Sequence, residues 1–171
     1  MEKKLPIIKE IISYIVIIVI VILIKKYVVS PVRVNGASMY PTLNDKDVMI
    51  LNKISYRFND IKRFDIVVID YEDEYLIKRV IGLPGEKLRY SNNQLYINDK
   101  KVEENFSKTD IVNFEVRNEP NNQIPKDHYF VIGDNRDISK DSRIIGFIPK
   151  DKIVGKSNFT LFPFNKFGNK K

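Results

Sequence analysis

The sequence predicts a soluble all-β domain of twisted antiparallel sheets, preceded by one N-terminal transmembrane α-helix. Two observations carry this. Ile11 to Ile24 is a charge-free apolar run, too long for a typical strand and too apolar for a helix facing solvent. Beyond it, apolar residues come in short β-branched runs parted by turn residues. At 171 residues with no internal repeat, the chain has room for one ordinary domain plus an accessory element. The expected division is residues 1–29 for a cytoplasmic tip and anchor, and 30–171 for an extracytoplasmic β-domain.

Taken strictly, the fourteen residues of the apolar run fall short of a bilayer, which needs roughly twenty. Extension to Ile7 and Val29 supplies the length, with Lys9, Glu10, Lys25 and Lys26 near the interfaces and the lysines snorkelling. A cleavable leader would be followed promptly by a small-x-small site. Lys25-Lys26-Tyr27-Val28-Val29 follows instead, which favours an uncleaved anchor. Charge does not orient it, because Lys3, Lys4 and Lys9 before the span balance Lys25, Lys26 and Arg33 after it.

Strands are expected at Val48 to Leu51, Ile66 to Tyr71, Leu76 to Ile81, Leu95 to Ile97 and Tyr129 to Ile132. Leu95 to Val102 reads as a hairpin turning at Asn98-Asp99. Gly82, Pro84 and Gly85 end the third of these strands abruptly. From about 91 to 125 the chain is rich in Asn, Lys and Glu, and a small hairpin with a long loop is expected as an insertion there. The aromatics Phe159, Phe162, Phe164 and Phe167 either rest in a membrane interface or close the core.

The net charge of +7 divides into +3 over residues 1–27 and +4 over the rest. No basic run with interleaved aromatics stands out, so nucleic acid is not an expected partner, whereas anionic lipid or cell wall suits a mildly basic surface. The absence of Cys excludes disulfides, thiolate zinc sites and cysteine nucleophiles, and a single His argues against conventional zinc. Asp134, Asn135, Asp137 and Asp141 lack the order of a calcium loop and its closing Glu, while Arg136 and Lys140 would repel a cation. No metal is expected.

The chemistry-bearing residues lie in Gly36-Ala37-Ser38-Met39-Tyr40-Pro41-Thr42-Leu43 and, forty positions on, Lys78-Arg79-Val80-Ile81-Gly82-Leu83-Pro84-Gly85. A serine hydroxyl is a weak nucleophile until a neighbour takes its proton, and His is the usual neighbour. His128 has no fixed spacing to Ser38, so a lysine base is the more economical reading. Such a lysine must be neutral, which requires burial to bring its pKa from roughly 10 toward 7 to 8. In a strand over Tyr75 to Ile81, Lys78 shares a face with Leu76 and Val80, while Arg79 points the other way, outward. The bland alternative is a lysine that snorkels from a strand end and keeps its charge in water.

With a third segment, Phe130 to Arg143, the order of motifs resembles the bacterial type I signal peptidases, in particular their short Gram-positive-like branch. These are membrane-anchored endopeptidases that remove signal peptides from exported proteins. The resemblance covers about Tyr14 to Pro163 and is weakest from Ser91 to Pro125. It implies Ser38 as nucleophile, Lys78 as general base, Ser139 as the hydroxyl orienting the lysine amine, and Asp141 with Arg143 as a supporting ion pair. Where some members carry a serine that helps bind the oxyanion, this chain has Gly36, as the short branch commonly does. That leaves the Ser38 N–H as an oxyanion donor and the second donor unassigned.

The resemblance further implies an extended peptide substrate with small residues at the first and third positions before the cut, no cofactor, and action as a monomer. It implies a cytoplasmic N-terminus with the β-domain on the outer face of the plasma membrane. Val34, Gly36, Met39, Leu43 and Ile77 flank the two central residues and are candidates for shallow substrate pockets. Two other readings stand beside this one. A self-cleaving repressor-type Ser/Lys peptidase shares a Ser-Met segment and a strand lysine, but not the anchor or the third segment. A catalytically silent β-domain displayed on a membrane for binding would not need Ser38, Lys78 and Ser139.

Overall fold

The structure, a computed structural model, describes residues 4–118 and 121–170. Lys3 of the charge count and residues 119–120 of the polar stretch lie outside them. The chain starts in helix α1 (Lys4–Tyr27), within which Ile7–Tyr27 forms a 21-residue apolar stretch, none of it buried against protein. At a rise of about 1.5 Å per residue that stretch is about 30 Å long, the thickness of a bilayer's hydrocarbon core. From Ile11 to Ile24 it carries no charge on any face, which no half-solvated helix of a globular domain allows.

The β-domain follows after a single residue: β1 (Val29–Arg33), β2 (Val48–Asn52), a one-turn helix α2 (Ser55–Phe58), β3 (Ile66–Tyr71), β4 (Glu74–Gly82), β5 (Leu88–Ser91), β6 (Gln94–Ile97) and β7 (Lys100–Val102). Next come β8 (Phe114–Glu115), β9 (His128–Ile132), one-turn α3 (Ser142–Ile145), β10 (Ile148–Pro149), β11 (Ile153–Phe162) and β12 (Gly168–Asn169). The larger sheet runs β1-β2-β11-β3-β4-β9-β10 with β12 against β11, and the smaller runs β7-β6-β5-β8. Every pairing is antiparallel.

Strand β3 shows why the large sheet is the frame of the molecule. Its Ile-Val-Val-Ile run sends Ile66 and Val68 into one cluster with Met39, Leu43 and Met49, and Val67 and Ile69 into another with Val80, Val131 and Ile153. A strand buried on both faces reads as a continuous apolar run rather than an alternating one. A third cluster, around Leu88, Tyr90, Leu95 and Phe130, joins the small sheet to the large one.

All five expected strands are present, and the Asn98-Asp99 hairpin forms with both residues at positive φ, +49° and +63°. That is the conformation a two-residue turn needs to match strand twist. Asn92-Asn93 turns in the same way between β5 and β6, so the small sheet begins at Leu88, ahead of the expected start near 91. Strands β1 and β11 were not expected. The aromatic tail does not close the core: Phe162, Phe164 and Phe167 are 50%, 78% and 58% exposed, and Phe159 meets Phe167 edge to face.

Candidate active site

Ser38 lies in the connection between β1 and β2, and Lys78 lies in β4 beside Val67 of β3. Lys78 Nζ donates to Ser38 Oγ at 2.8 Å. Leu76 and Val80, on the same face of β4 as Lys78, pack into the cluster of Val67, Ile69 and Val131. The lysine is 2% exposed. Burial pulls its amine down from the ordinary 10.5 to about 8, against smaller upward pulls from the carboxylates of Asp141 and Glu74. A substantial fraction of this amine is therefore neutral at mildly alkaline pH, and in that form the same 2.8 Å contact lets its lone pair accept the Ser38 hydroxyl proton.

The backbone around the serine is tied to the segment after β9. Ser38 O accepts from Asn135 N–H at 3.0 Å, and Thr42 Oγ1 donates to the Asp134 carboxylate. This approach depends on Gly133. A Cβ there would lie 2.3 Å from both Ser38 O and Ser139 Oγ, distances at which something must move.

Asp141 and Arg143 form the expected ion pair. The carboxylate accepts from Arg143 Nε and Nη2, both at 2.8 Å, and from Gly133 N–H at 3.0 Å. Asp141 also caps α3 by accepting from Arg143 N–H at 3.2 Å. Ser139 departs from expectation. It is 4% exposed beside Gly133, but its Oγ makes no hydrogen bond, so the anticipated contact with the lysine amine is not formed. The physical reason is that the lysine's amine is directed to Ser38 while the Ser139 side chain packs against the glycine.

Arg79 corrects a second expectation. It does point away from Lys78, but into protein rather than outward, and is 0% exposed. Its Nε and Nη2 donate to the two oxygens of Asp134 at 2.8 and 2.6 Å, its Nη1 donates to Phe64 O at 3.0 Å, and its guanidinium stacks on Phe106 at 3.9 Å. A buried arginine requires a buried carboxylate, and alternation along one strand cannot show that the far face is covered by a second layer. Thr42, Gly133, Asp134 and Asn135 were likewise not foreseen as site-building residues. A glycine closing a buried strand was the available signal for Gly133.

A cleft of about 490 Å³ opens beside the pair, lined among others by Val32, Val34, Ser38, Leu76, Ile77 and Lys78. Of the anticipated pocket residues, Val34 and Ile77 line it. Met39 and Leu43 do not; at 1% and 0% exposure they are core, packed behind the serine turn with Met49 and Ile66. Gly36 does not line it either: it sits at φ +82° with its N–H on Asp45 Oδ1 at 2.8 Å. Among the described residues β9 pairs with β4 only from Arg79 onward, which leaves residues 74–78 an unpaired edge along the cleft. His128 stands at the far end of β9, its Nδ1 2.8 Å from Lys126 O.

The signal peptidase family, peptidase S26, matches residues 7–162 of the chain. Signal peptidase IB of Staphylococcus aureus (strain Mu50) is 39% identical over 98% of this chain and 94% of its own length. Signal peptidase I of Bacillus amyloliquefaciens is 40% identical over 90% of this chain and 87% of its own. The crystal structure of a signal peptidase I from Enterococcus faecalis V583 superposes with a TM-score of 0.50 at 34% identity, covering 57% of this chain and 97% of that one.

Proposed function

The chain belongs to the signal peptidase family, peptidase S26, as a serine peptidase that removes signal peptides, and on that premise we propose that Ser38 is its nucleophile and Lys78 its general base. The observation that carries this is the 2.8 Å hydrogen bond between a buried, downshifted lysine and the serine hydroxyl. Neutral Lys78 takes the Ser38 proton as Oγ attacks the scissile carbonyl. The resulting ammonium returns that proton to the departing amine. Water then enters and gives a proton to Lys78 as its oxygen attacks the acyl carbon. The ammonium passes that proton to Ser38 Oγ as the acyl group leaves as a free carboxyl group. The Ser38 N–H faces the developing oxyanion. Asp141, Arg143 and Ser139 support the site without touching the reacting atoms.

The substrate lies extended along the open edge of β4, adding a strand to the sheet. In an extended chain, alternate side chains share a face, so the first and third residues before the cut point together. In this reading those two meet Val34 and Ile77 in the cleft beside the pair, and the family resemblance implies that both are small. Helix α1 spans the plasma membrane with its N-terminus in the cytoplasm, and residues 30–171 form the outer catalytic domain, working as a monomer. A tether at the bilayer raises the encounter rate with substrates that are themselves membrane-held.

The test is cleavage of a purified preprotein by the full-length chain in detergent, beside Ser38→Ala and Lys78→Ala, with the new N-terminus read by mass spectrometry. Cutting after a small-x-small site, lost in both folded variants, is the expected result. A fully active Lys78→Ala would remove the lysine from the mechanism.

A further inference from the structure

The last turn of a helix leaves carbonyls that the helix cannot satisfy. In α1, Ile24 O is taken by Val28 N–H at 2.8 Å, and the chain enters β1 one residue later with no glycine to close the turn. The carbonyls of Lys25 and Lys26 both accept from Lys53 Nζ, each at 3.2 Å. The backbone N–H of Lys53 donates to Val28 O at 2.9 Å. A single residue just past β2 thus grips the helix end and the joint behind it. Its charge also sits at the negative pole of the helix dipole, close to two lysines whose own charges would otherwise repel it.

The grip matters because of what it connects. Strand β2 is held on both sides, by β1 and β11, and β1 runs on toward Val34 and the serine turn. Fixing the helix end to Lys53 therefore fixes the axis of α1 to the sheet that carries the cleft. Were the joint held by Val28 alone, the domain would swivel on one residue.

Resting on the signal peptidase reading above, we infer that Lys53 is a positioning residue that sets the height and angle of the Ser38–Lys78 cleft relative to the bilayer. A membrane-embedded preprotein presents its scissile bond at one depth, so it feels that setting. A short soluble peptide with the same cleavage site approaches from any direction and does not.

The full-length chain in lipid vesicles is compared with Lys53→Met, which keeps the aliphatic stem, and Lys53→Arg, which keeps the donors. Cleavage of a preprotein inserted in the same vesicles should fall by about tenfold in the methionine variant and recover in the arginine variant. Turnover of the soluble peptide should stay unchanged. The chain has no Cys, so Tyr14→Cys with Lys87→Cys places one label pair across the joint, and its distance distribution should broaden in Lys53→Met. An unchanged distribution, unchanged preprotein cleavage, or equal loss on both substrates overturns the inference. If the unaltered chain cuts neither substrate, the signal peptidase reading falls first and takes this inference with it.

Discussion

Lys78 and Arg79 are neighbours in β4, both cations, and 2% and 0% exposed, yet the two faces of the strand treat them in opposite ways. On one face Arg79 receives a bidentate carboxylate, a carbonyl and an aromatic ring, the set of partners a permanently charged group needs in order to be buried. On the other, Lys78 is given apolar neighbours and a serine hydroxyl, with no ion pair among the described residues. The carboxylate that acts on it most, Asp141, is already engaged by Arg143. The strand therefore keeps one cation charged for structure and prepares its neighbour to lose a proton. Arginine does not deprotonate in proteins and lysine does, so the order of the two residues is not interchangeable.

Replacing Lys78 breaks the comparison most severely. Lys78→Met should reduce kcat by more than about 10³-fold, and Lys78→Arg by as much although it retains the charge, both read with a short peptide. Stability should move the other way. Between pH 8 and about 10.5 the unfolded lysine binds a proton that the folded one has released, so stability rises with pH across that window. The total is about 3 kcal/mol. At pH 7 the wild type still carries that cost, so Lys78→Met should unfold at higher denaturant than wild type, with the gap closing toward pH 10.5.

On the opposite face the sign of the stability effect inverts. Arg79→Met strands Asp134 in the interior and should cost about 3 to 5 kcal/mol, measured by denaturant unfolding near neutral pH. If Arg79→Met were as stable as Lys78→Met, the claim that the two faces differ in their need for counter-charge would be wrong. Gly133→Ala tests the contact between the serine turn and the segment after β9. The added methyl must displace Ser38 O or Ser139, and a shift of that order should lower kcat by about 10²-fold while the melting curve moves less.

The strands around Lys78 were legible because their inward residues are Val, Ile and Leu. Strand β11 was not, although it is the longest, because its buried positions after Ile153 are Gly155, Ser157 and Thr160. Gly155 is required where a Cβ would lie 2.2 Å from Asn52 O, and Ser157 Oγ donates to Ile50 O at 3.2 Å, so close sheet packing there selects against the apolar pattern that marks a strand. Strand β1 was masked by Pro31, which an edge strand tolerates. At the site, the motifs pointed to Ser38 and Lys78, and the family resemblance implied the Asp141–Arg143 pair. The burial of Arg79, and the assignment of Met39 and Leu43 to core rather than cleft, depend on which layers cover each face, and local periodicity carries no information about that.

The finest test adjusts the electrostatics of the lysine face without touching the lysine. Arg143 neutralises Asp141, so Arg143→Met frees that carboxylate to stabilise the ammonium, and the acid limb of the activity profile should move to higher pH, lowering the rate at pH 7 severalfold. Glu74, exposed at the start of β4, exerts a weaker upward pull through solvent. Glu74→Gln should shift the same limb down and raise the rate at pH 7 by less than about twofold, an effect that fades with added salt. Both are read from kcat of a short peptide against pH. Opposite displacements, the buried carboxylate's larger than the exposed one's, follow only if a neutral Lys78 is the active form; two displacements of the same sign would point to another titrating group.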